Sequence, residues 1–242
     1  EYWRGRFLSE LERRGMTEEE YNSLSEEERK KKWDEADEQN AVRVGSVLLK
    51  DAEIDFEALS DALIQAFDVT DENCTRDAQT LVFSLESNMI SVALMDTPVP
   101  DGEAEFYAEG NFLWREAVET TKQHQAHLLV AVLNREANAI EAACFFTDTV
   151  NLCSMETKAL GIYTTGTVYE PSFYNEWAGK LRNGEMPLPL WVYVGLVRDE
   201  NGLSGYTYGL TLFGRLELEI IGTSRSHEEL YNFLYNVCEG IL

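Results

Sequence analysis

The sequence predicts an α+β fold with mixed, largely antiparallel sheets, packed helices and a helical N-terminal arm. Three observations support this prediction. Apolar and polar residues alternate in several stretches joined by short turns, as antiparallel hairpins require. Other stretches repeat apolar residues every three or four positions, which is the helical period. Hairpins and helices are interspersed along the 242 residues, which argues against a doubly wound parallel sheet.

The balance of charge changes near residue 40. Residues 1–40 carry 13 acidic and 8 basic side chains, whereas residues 41–242 carry 31 acidic and 12 basic ones. We therefore predict a charged helical arm over 1–40 and a single α+β domain over 41–242. The domain loosely repeats the order strand, helix, hairpin, helix, which leaves open two ferredoxin-like halves at 41–155 and 156–242.

Capping boxes mark two helix starts in the arm, Thr17 with Glu20 and Ser25 with Glu28. The predicted arm helices cover residues 2–14, a short stretch from 18, and 26–38. The arm has too few apolar residues to fold alone. We therefore expect it to dock on the domain or on a partner, or to mediate self-association.

Strands and helices follow one another along the domain. Strands are predicted at 42–49, in a hairpin turning at Ser87-Asn88, at 127–133, at 160–165, in a hairpin around 199–202, and at 216–221. Helices are predicted after Asp55, from Asn111, over 137–154, from Pro171 to Asn183, and from Ser226. The continuous apolar run at 127–133 indicates a central strand. Alternation at 216–221 predicts Leu216, Leu218 and Ile220 inward with Glu217 and Glu219 outward.

Composition excludes several classes of protein. A formal net charge of −24 leaves no basic face for nucleic acid and disfavours an anionic membrane surface. No apolar run reaches the roughly 18 residues of a spanning helix, and the charged N-terminal stretch is unlike a signal peptide. The cysteines lie apart in mostly apolar surroundings, as expected of reduced thiols: Cys74, Cys144, Cys153 and Cys238. We predict a cytoplasmic protein.

Acid and base side chains concentrate between residues 101 and 127, where the candidate catalytic residues are Glu103, Glu116, His124 and His127. On one continuous helix, the spacing of the two histidines would bring both imidazoles to one face, as a metal requires. Recognised metal motifs add a third ligand and a base, which this pair lacks, so no metal is assigned. The structural alternative is that His124 closes a helix and His127 forms a hydrogen bond at a strand edge.

Aromatic residues suggest a binding pocket built from Trp114, Tyr169, Tyr206 and Tyr208. Tyr206 and Tyr208 are two positions apart on a predicted strand, so both point to the same side. Tyrosine and tryptophan combine an apolar body with a polar tip, which suits clefts and interfaces. Core packing is the alternative for most of these side chains.

The order of several segments resembles a bacterial family known as domain of unknown function 4261. The resemblance covers about residues 80–242 and rests on the segments PVPDGEAE, NFLWREAVETTKQHQAHLLVAVL, ALGIYTTGTVYEPSFY, WVYVGLVRDENGLSGYTYGLTLFGRLELEI and SRSHEELYNFLYNV. Residues 41–79 fit more loosely, the arm lies outside the resemblance, and the ending CEGIL departs from it. The resemblance implies a bacterial, soluble, cytoplasmic α+β domain, and it brings neither an activity nor catalytic residues.

Two hypotheses for function follow. The leading one is a non-enzymatic, acidic interaction domain of the immunity or antitoxin kind, which binds a basic protein through its charge and aromatic anchors. The alternative is a small-ligand binder or metal-assisted enzyme that uses the 101–127 cluster and the tyrosine-rich cleft. The glycine-rich phosphate-binding motifs and the serine nucleophile motif are absent from the sequence. No cofactor is therefore predicted, and the non-enzymatic hypothesis is favoured.

Overall fold

The computed structural model describes residues 17–25, 28, 42–200 and 202–242. Contacts divide the chain into two compact units, 1–40 and 41–242.

In the first unit, helix α1 spans Glu18–Ser23. The predicted capping box starts it, because the Thr17 N–H donates to the Glu20 carboxylate (2.8 Å) and the Glu20 N–H donates to the Thr17 hydroxyl (3.2 Å). Ser25 and Glu28 form the same reciprocal pair. The predicted helix over 2–14 and most of the one over 26–38 lie outside the described residues.

An antiparallel sheet of seven strands dominates the described part of the second unit. Its strands are β1 (Val42–Leu49), β2 (Cys74–Arg76), β3 (Thr80–Leu85), β4 (Asn88–Met95), β5 (Ala126–Asn134), β6 (Gly161–Thr164) and β7 (Thr167–Tyr169). They lie in the order β2-β3-β4-β5-β1-β6-β7. Because β6 pairs with β1 and β7 pairs with β6, this sheet joins strands from both sides of residue 155.

A smaller antiparallel sheet follows, in the order β10-β9-β8. Its strands are β8 (Tyr193–Asp199), β9 (Gly202–Tyr208) and β10 (Glu219–Thr223). The other α-helices of the described residues are α2 (Phe56–Ala66), α3 (Glu103–Ala108), α4 (Ala117–Thr121), α5 (Ala139–Thr157), α6 (Pro171–Ala178), α7 (Leu188–Trp191) and α8 (His227–Ile241). The two sheets and their helices confirm the predicted α+β class.

Strand β5 lies at the centre of the large sheet, as its apolar run predicted. It pairs over nearly its whole length with β4 on one side and with β1 on the other. Leu128, Val130 and Val132 are fully buried and belong to the main core, together with apolar residues of α2 and α5. The main core therefore lies between one face of the sheet and these two helices.

Within the described residues, the opposite face of the sheet is covered at one corner only. There, Leu48 of β1 and Val168 of β7 pack against small residues of α3 and α4, among them Ala104 and Ala117. Alanine lets these short helices approach the sheet closely, because it carries only a methyl group beyond the backbone. This corner positions the segment in which the sequence places its acid–base residues.

The helix predicted from Asn111 is wrong, because Asn111 forms a turn instead. Its side-chain oxygen accepts the N–H groups of Leu113 (2.8 Å) and Trp114 (3.2 Å), and its amide donates to the Val168 carbonyl (2.7 Å). Asparagine competes for backbone groups in this way at turns. Helix α4 therefore begins only at Ala117.

The strand predicted at 216–221 is also partly wrong. Leu216 is 74% exposed and Glu217 points into the structure. The Glu217 carboxylate accepts hydrogen bonds from the Thr207 hydroxyl (2.7 Å) and the Gly209 N–H (2.7 Å), and from Thr211. These bonds close the loop between β9 and β10, so regular pairing starts two residues later, at Glu219.

Arg43 of β1 is a buried cation on the core side of the sheet, only 5% exposed. Its guanidinium stacks 4.2 Å from the centre of the Phe213 ring and donates to the carbonyls of Ala139 (3.4 Å) and Leu212 (3.5 Å). Burial lowers its pKa to about 10. Arg43 thus ties β1 to the start of α5 and to the turn after β9.

Tyr206 of β9 covers a glycine on the neighbouring strand. Gly195 is its direct cross-strand partner, and a β-carbon at Gly195 would overlap the tyrosine ring. A ring laid over a glycine in this way compensates for the missing side chain in a sheet.

We predict that Gly195→Ala lowers the free energy of unfolding by about 2–3 kcal/mol, because the added methyl group displaces the Tyr206 ring. Urea denaturation provides the measurement. Gly179→Ala is the matched control, since a β-carbon there meets no atom within 4 Å and the φ of −58° is helical. Equal stabilities for the two variants would contradict the packing described here.

Candidate functional site

The segment from 96 to 127 holds the predicted acid–base residues. Its backbone turns sharply directly before α3. Asp101 and Gly102 are both left-handed, with φ of 57° and 66°. Glycine adopts this conformation freely, and aspartate tolerates it better than most residues. The reversal brings Glu103 and Glu105 into the first turn of α3, where the helix dipole favours carboxylates.

His124 is buried, and both of its ring nitrogens are engaged. Nε2 accepts the Val99 N–H at 2.9 Å, so the ring proton lies on Nδ1, which donates to the Thr121 carbonyl. The ring thereby links the end of α4 to the loop before α3. Neither nitrogen has a lone pair directed towards open space, as a metal ligand needs.

Glu105 approaches the same ring, with its Oε1 3.6 Å from Nδ1 of His124. That distance is longer than a hydrogen bond. The second carboxylate oxygen of Glu105 is buried without a hydrogen-bond partner, as is the hydroxyl of Thr121. Glu105 therefore adds one carboxylate beside His124, but a metal site would also need a free imidazole nitrogen, and both nitrogens of His124 are engaged.

His127 fixes the other end of the same loop. It lies on β5, is 5% exposed, and its Nδ1 donates to the Thr97 carbonyl at 2.9 Å. Burial lowers the pKa of His127, and nearby His124 lowers it further, against the effect of the Thr97 hydrogen bond. The two histidines therefore hold one loop, at Thr97 and at Val99, and we name this pair the clamp.

Glu103 and Glu116 lie apart from this clamp. Glu103 accepts the Tyr163 hydroxyl at 2.8 Å, and burial together with the carboxylate raises the pKa of Tyr163. Glu116 is exposed at the start of α4. Within residues 17–25, 28, 42–200 and 202–242, no group of three acidic, histidine or cysteine side chains is arranged to hold a metal ion.

The four residues of the predicted pocket are only partly brought together. Tyr169 lines a narrow crevice with Tyr193, and the ring of Tyr206 lies 6.0 Å from that of Tyr193. Tyr208 is half-buried and pairs with Tyr193 across the two strands. Trp114 packs elsewhere, against the cluster at the covered corner of the sheet.

Sequence reasoning missed two further aromatic residues that line this crevice, Tyr231 and Tyr235 of α8. Their spacing of four residues on a helix is the signal that could have found them. Their rings are 4.6 Å apart, and the Tyr235 hydroxyl donates to the Val192 carbonyl at 3.0 Å. The helix thereby closes one side of the crevice.

The crevice has little capacity for a substrate. It encloses about 10 Å³, roughly the room of one water molecule. The hydroxyls of Tyr169 and Tyr193 are used on the carbonyls of Pro189 (2.8 Å) and Gly110 (2.6 Å). Burial raises the pKa of Tyr169 well above its ordinary value, so this hydroxyl stays a proton donor and joins neighbouring segments.

Sequence reasoning also missed three large apolar side chains that reach the surface in the segment from 96 to 127. Phe106, Phe112 and Leu113 are each more than half exposed, at 55%, 51% and 54%. The expected helix from Asn111 would have buried Leu113, whereas the turn exposes it. The signal in the sequence is the Gly110-Asn111 turn directly before these residues.

Comparisons with protein-family models, curated proteins and solved structures find no match to this chain. The resemblance to the bacterial family therefore stays a prediction. In the described part of the chain, no helix combines the length and apolar character needed to cross a bilayer.

We predict that His124→Leu lowers the free energy of unfolding by about 2 kcal/mol, because the buried Val99 N–H loses its acceptor. Urea denaturation measures the loss, and elemental analysis of both proteins should show no difference in bound metal. Loss of a stoichiometric metal in the variant would instead identify His124 as a ligand.

We predict that His127 makes the fold less stable as the pH falls. In the unfolded chain this histidine takes up a proton near pH 6.5, whereas in the folded chain it does so only at lower pH. The free energy of unfolding therefore keeps its full value above that pH and declines below it. His127→Gln removes this contribution, and its unfolding free energy should change less between about pH 7.5 and 5.5. Equal pH dependence in urea denaturation of both proteins would show that His127 titrates alike in the folded and unfolded chains.

Proposed function

We propose that the chain is a non-enzymatic interaction domain that binds a basic protein through an acidic surface with apolar anchors. The observation that carries the proposal is the exposed trio Phe106, Phe112 and Leu113, which we name the anchor patch. Large exposed side chains grouped on one segment are typical of protein-binding sites.

The anchor patch lies in strongly acidic sequence. Between residues 96 and 121, seven acidic side chains accompany a single basic one, Arg115. The exposed carboxylates of this segment are Asp96, Asp101, Glu103, Glu109, Glu116 and Glu119. The negative electrostatic field of these carboxylates would steer a basic partner towards this segment, and apolar contact with the anchor patch would hold it there.

Two of the anchors are braced by neighbouring rings. Phe112 meets Tyr231 edge-on with ring centres 5.6 Å apart, and Phe106 meets Tyr107 in the same geometry at 5.3 Å. A side chain that is already positioned loses less conformational entropy on binding. This bracing supports a role as preformed contact residues.

The chemistry of the surrounding residues also favours binding over catalysis. The histidines hold a loop, three tyrosine hydroxyls of the crevice donate to backbone carbonyls, and the crevice has room for about one water molecule. The enzymatic alternative therefore gains no support from the described residues. Four free cysteines, two of them buried, are compatible with a reducing compartment, and we propose the bacterial cytoplasm.

We predict that Phe112→Ala combined with Leu113→Ala weakens capture of a basic partner by about tenfold or more. The immobilised chain is exposed to a lysate of its own host, and bound proteins are eluted with rising salt and identified by mass. A partner with an excess of Lys and Arg should elute early, because salt screens the attraction.

Leu216→Ala is the matched control, since Leu216 is exposed on a different segment. It should leave capture unchanged. If the anchor variant and the control retain the same basic protein equally, or if the retained proteins are not basic, the proposal fails.

A further inference from the structure

The face of the seven-stranded sheet opposite the main core carries no Asp, Glu, Lys or Arg over five neighbouring strands. Ser46, Leu48 and His127 also lie on this face, where they are buried. Strand register places its residues together, because partners in an antiparallel pair share a face. We name this surface the open face: Thr75, Thr80, Val82, Ser84, Met89, Ser91, Ala93, Met95, Leu129, Ala131, Leu133, Val42 and Val44. Nine of these residues are apolar and four carry a hydroxyl group.

The open face is accessible at its centre and at its ends. Val44 is 54% exposed, Met95 39% and Leu129 36%. None of the nine apolar side chains belongs to, or packs against, a buried cluster within the described residues. The solvated face of an antiparallel sheet is ordinarily polar, and a contiguous apolar surface of this kind marks an interface.

Its lack of charge restricts what can cover it. A basic protein finds no carboxylate on the open face, so this surface is distinct from the acidic anchor patch. A second copy of the chain presents the same flat, charge-free pattern, and pairing about a two-fold axis matches each patch with itself.

We propose that the open face is a self-association surface, on which two copies pack sheet against sheet. Stacked sheets lie about 10 Å apart with interdigitating side chains. The five strands span about 20 Å by 20 Å, or about 400 Å² per copy. The total of about 800 Å² is below the size of standard specific interfaces and falls in the range of weak, transient contacts, so the dimer is weak and depends on protein concentration.

The net charge sets the direction of the salt dependence. Each copy carries −24, so two copies repel one another at low ionic strength. Salt screens this repulsion and strengthens apolar packing, and the dimer therefore tightens as salt rises. A complex between the acidic surface and a basic protein weakens under the same change, so the two proposals are distinguished by opposite responses.

Sedimentation of the full chain over a range of concentrations, at about 0.05 M and about 1 M NaCl, tests the proposal. We expect a reversible dimer that is tighter at high salt. Val44→Glu places two carboxylates in each interface and should weaken the dimer by about tenfold or more. Leu216→Glu adds the same charge away from the open face and should retain the dimer.

Leu129→Thr serves as a second variant, because threonine suits a strand and keeps the face uncharged should Val44→Glu fail to fold. It should weaken the dimer less than Val44→Glu. Methionine oxidation adds an independent readout, since Met89 and Met95 should become protected as protein concentration rises.

Three outcomes would overturn the proposal. A monomer at every concentration and both salt levels excludes the dimer. A dimer that Val44→Glu and Leu129→Thr leave intact uses another surface. Methionines that are protected equally at all concentrations show that another part of the chain covers the open face.

Discussion

The pairing of β5 on both sides is the constraint on which the rest of the described fold depends. A strand alternates its side chains between two faces, and two complete antiparallel ladders fix its register. Leu128, Val130 and Val132 are thereby directed to the helices of the main core. His127 and Leu129 are directed to the opposite face by the same alternation. A slip of one residue would exchange the two sets.

This register also explains why the predicted acid–base cluster works as a clamp. His127 leaves β5 on the side where the loop before α3 passes, and His124 sits at the end of α4, three residues earlier. Each histidine uses a ring nitrogen on a backbone group of that loop. Fixing the loop fixes the start of α3, and with it the segment that carries the exposed Phe106 and the neighbouring carboxylates.

Periodicity together with helix-capping residues was sufficient to predict the α+β class, the central position of β5 and the helix starts at Asp55 and Ser226. It failed where a polar side chain had two structural options. Asn111 forms a turn instead of capping a helix, and Glu217 folds inward because backbone and hydroxyl donors surround it. Asn88 was expected in a hairpin turn, yet it is buried in β4 beside Asn134. The tyrosine crevice depends on contacts between distant segments, which no local pattern encodes.

The absence of charge on the open face gives the acidity of the remaining surface a second physical role. An exposed apolar sheet face favours nonspecific aggregation, and electrostatic repulsion between strongly negative molecules opposes it. That protection disappears near the isoelectric point, about 4.4 for this sequence. Colloidal stability in this protein is therefore a property of its carboxylates as a population, and no single one of them is responsible for it.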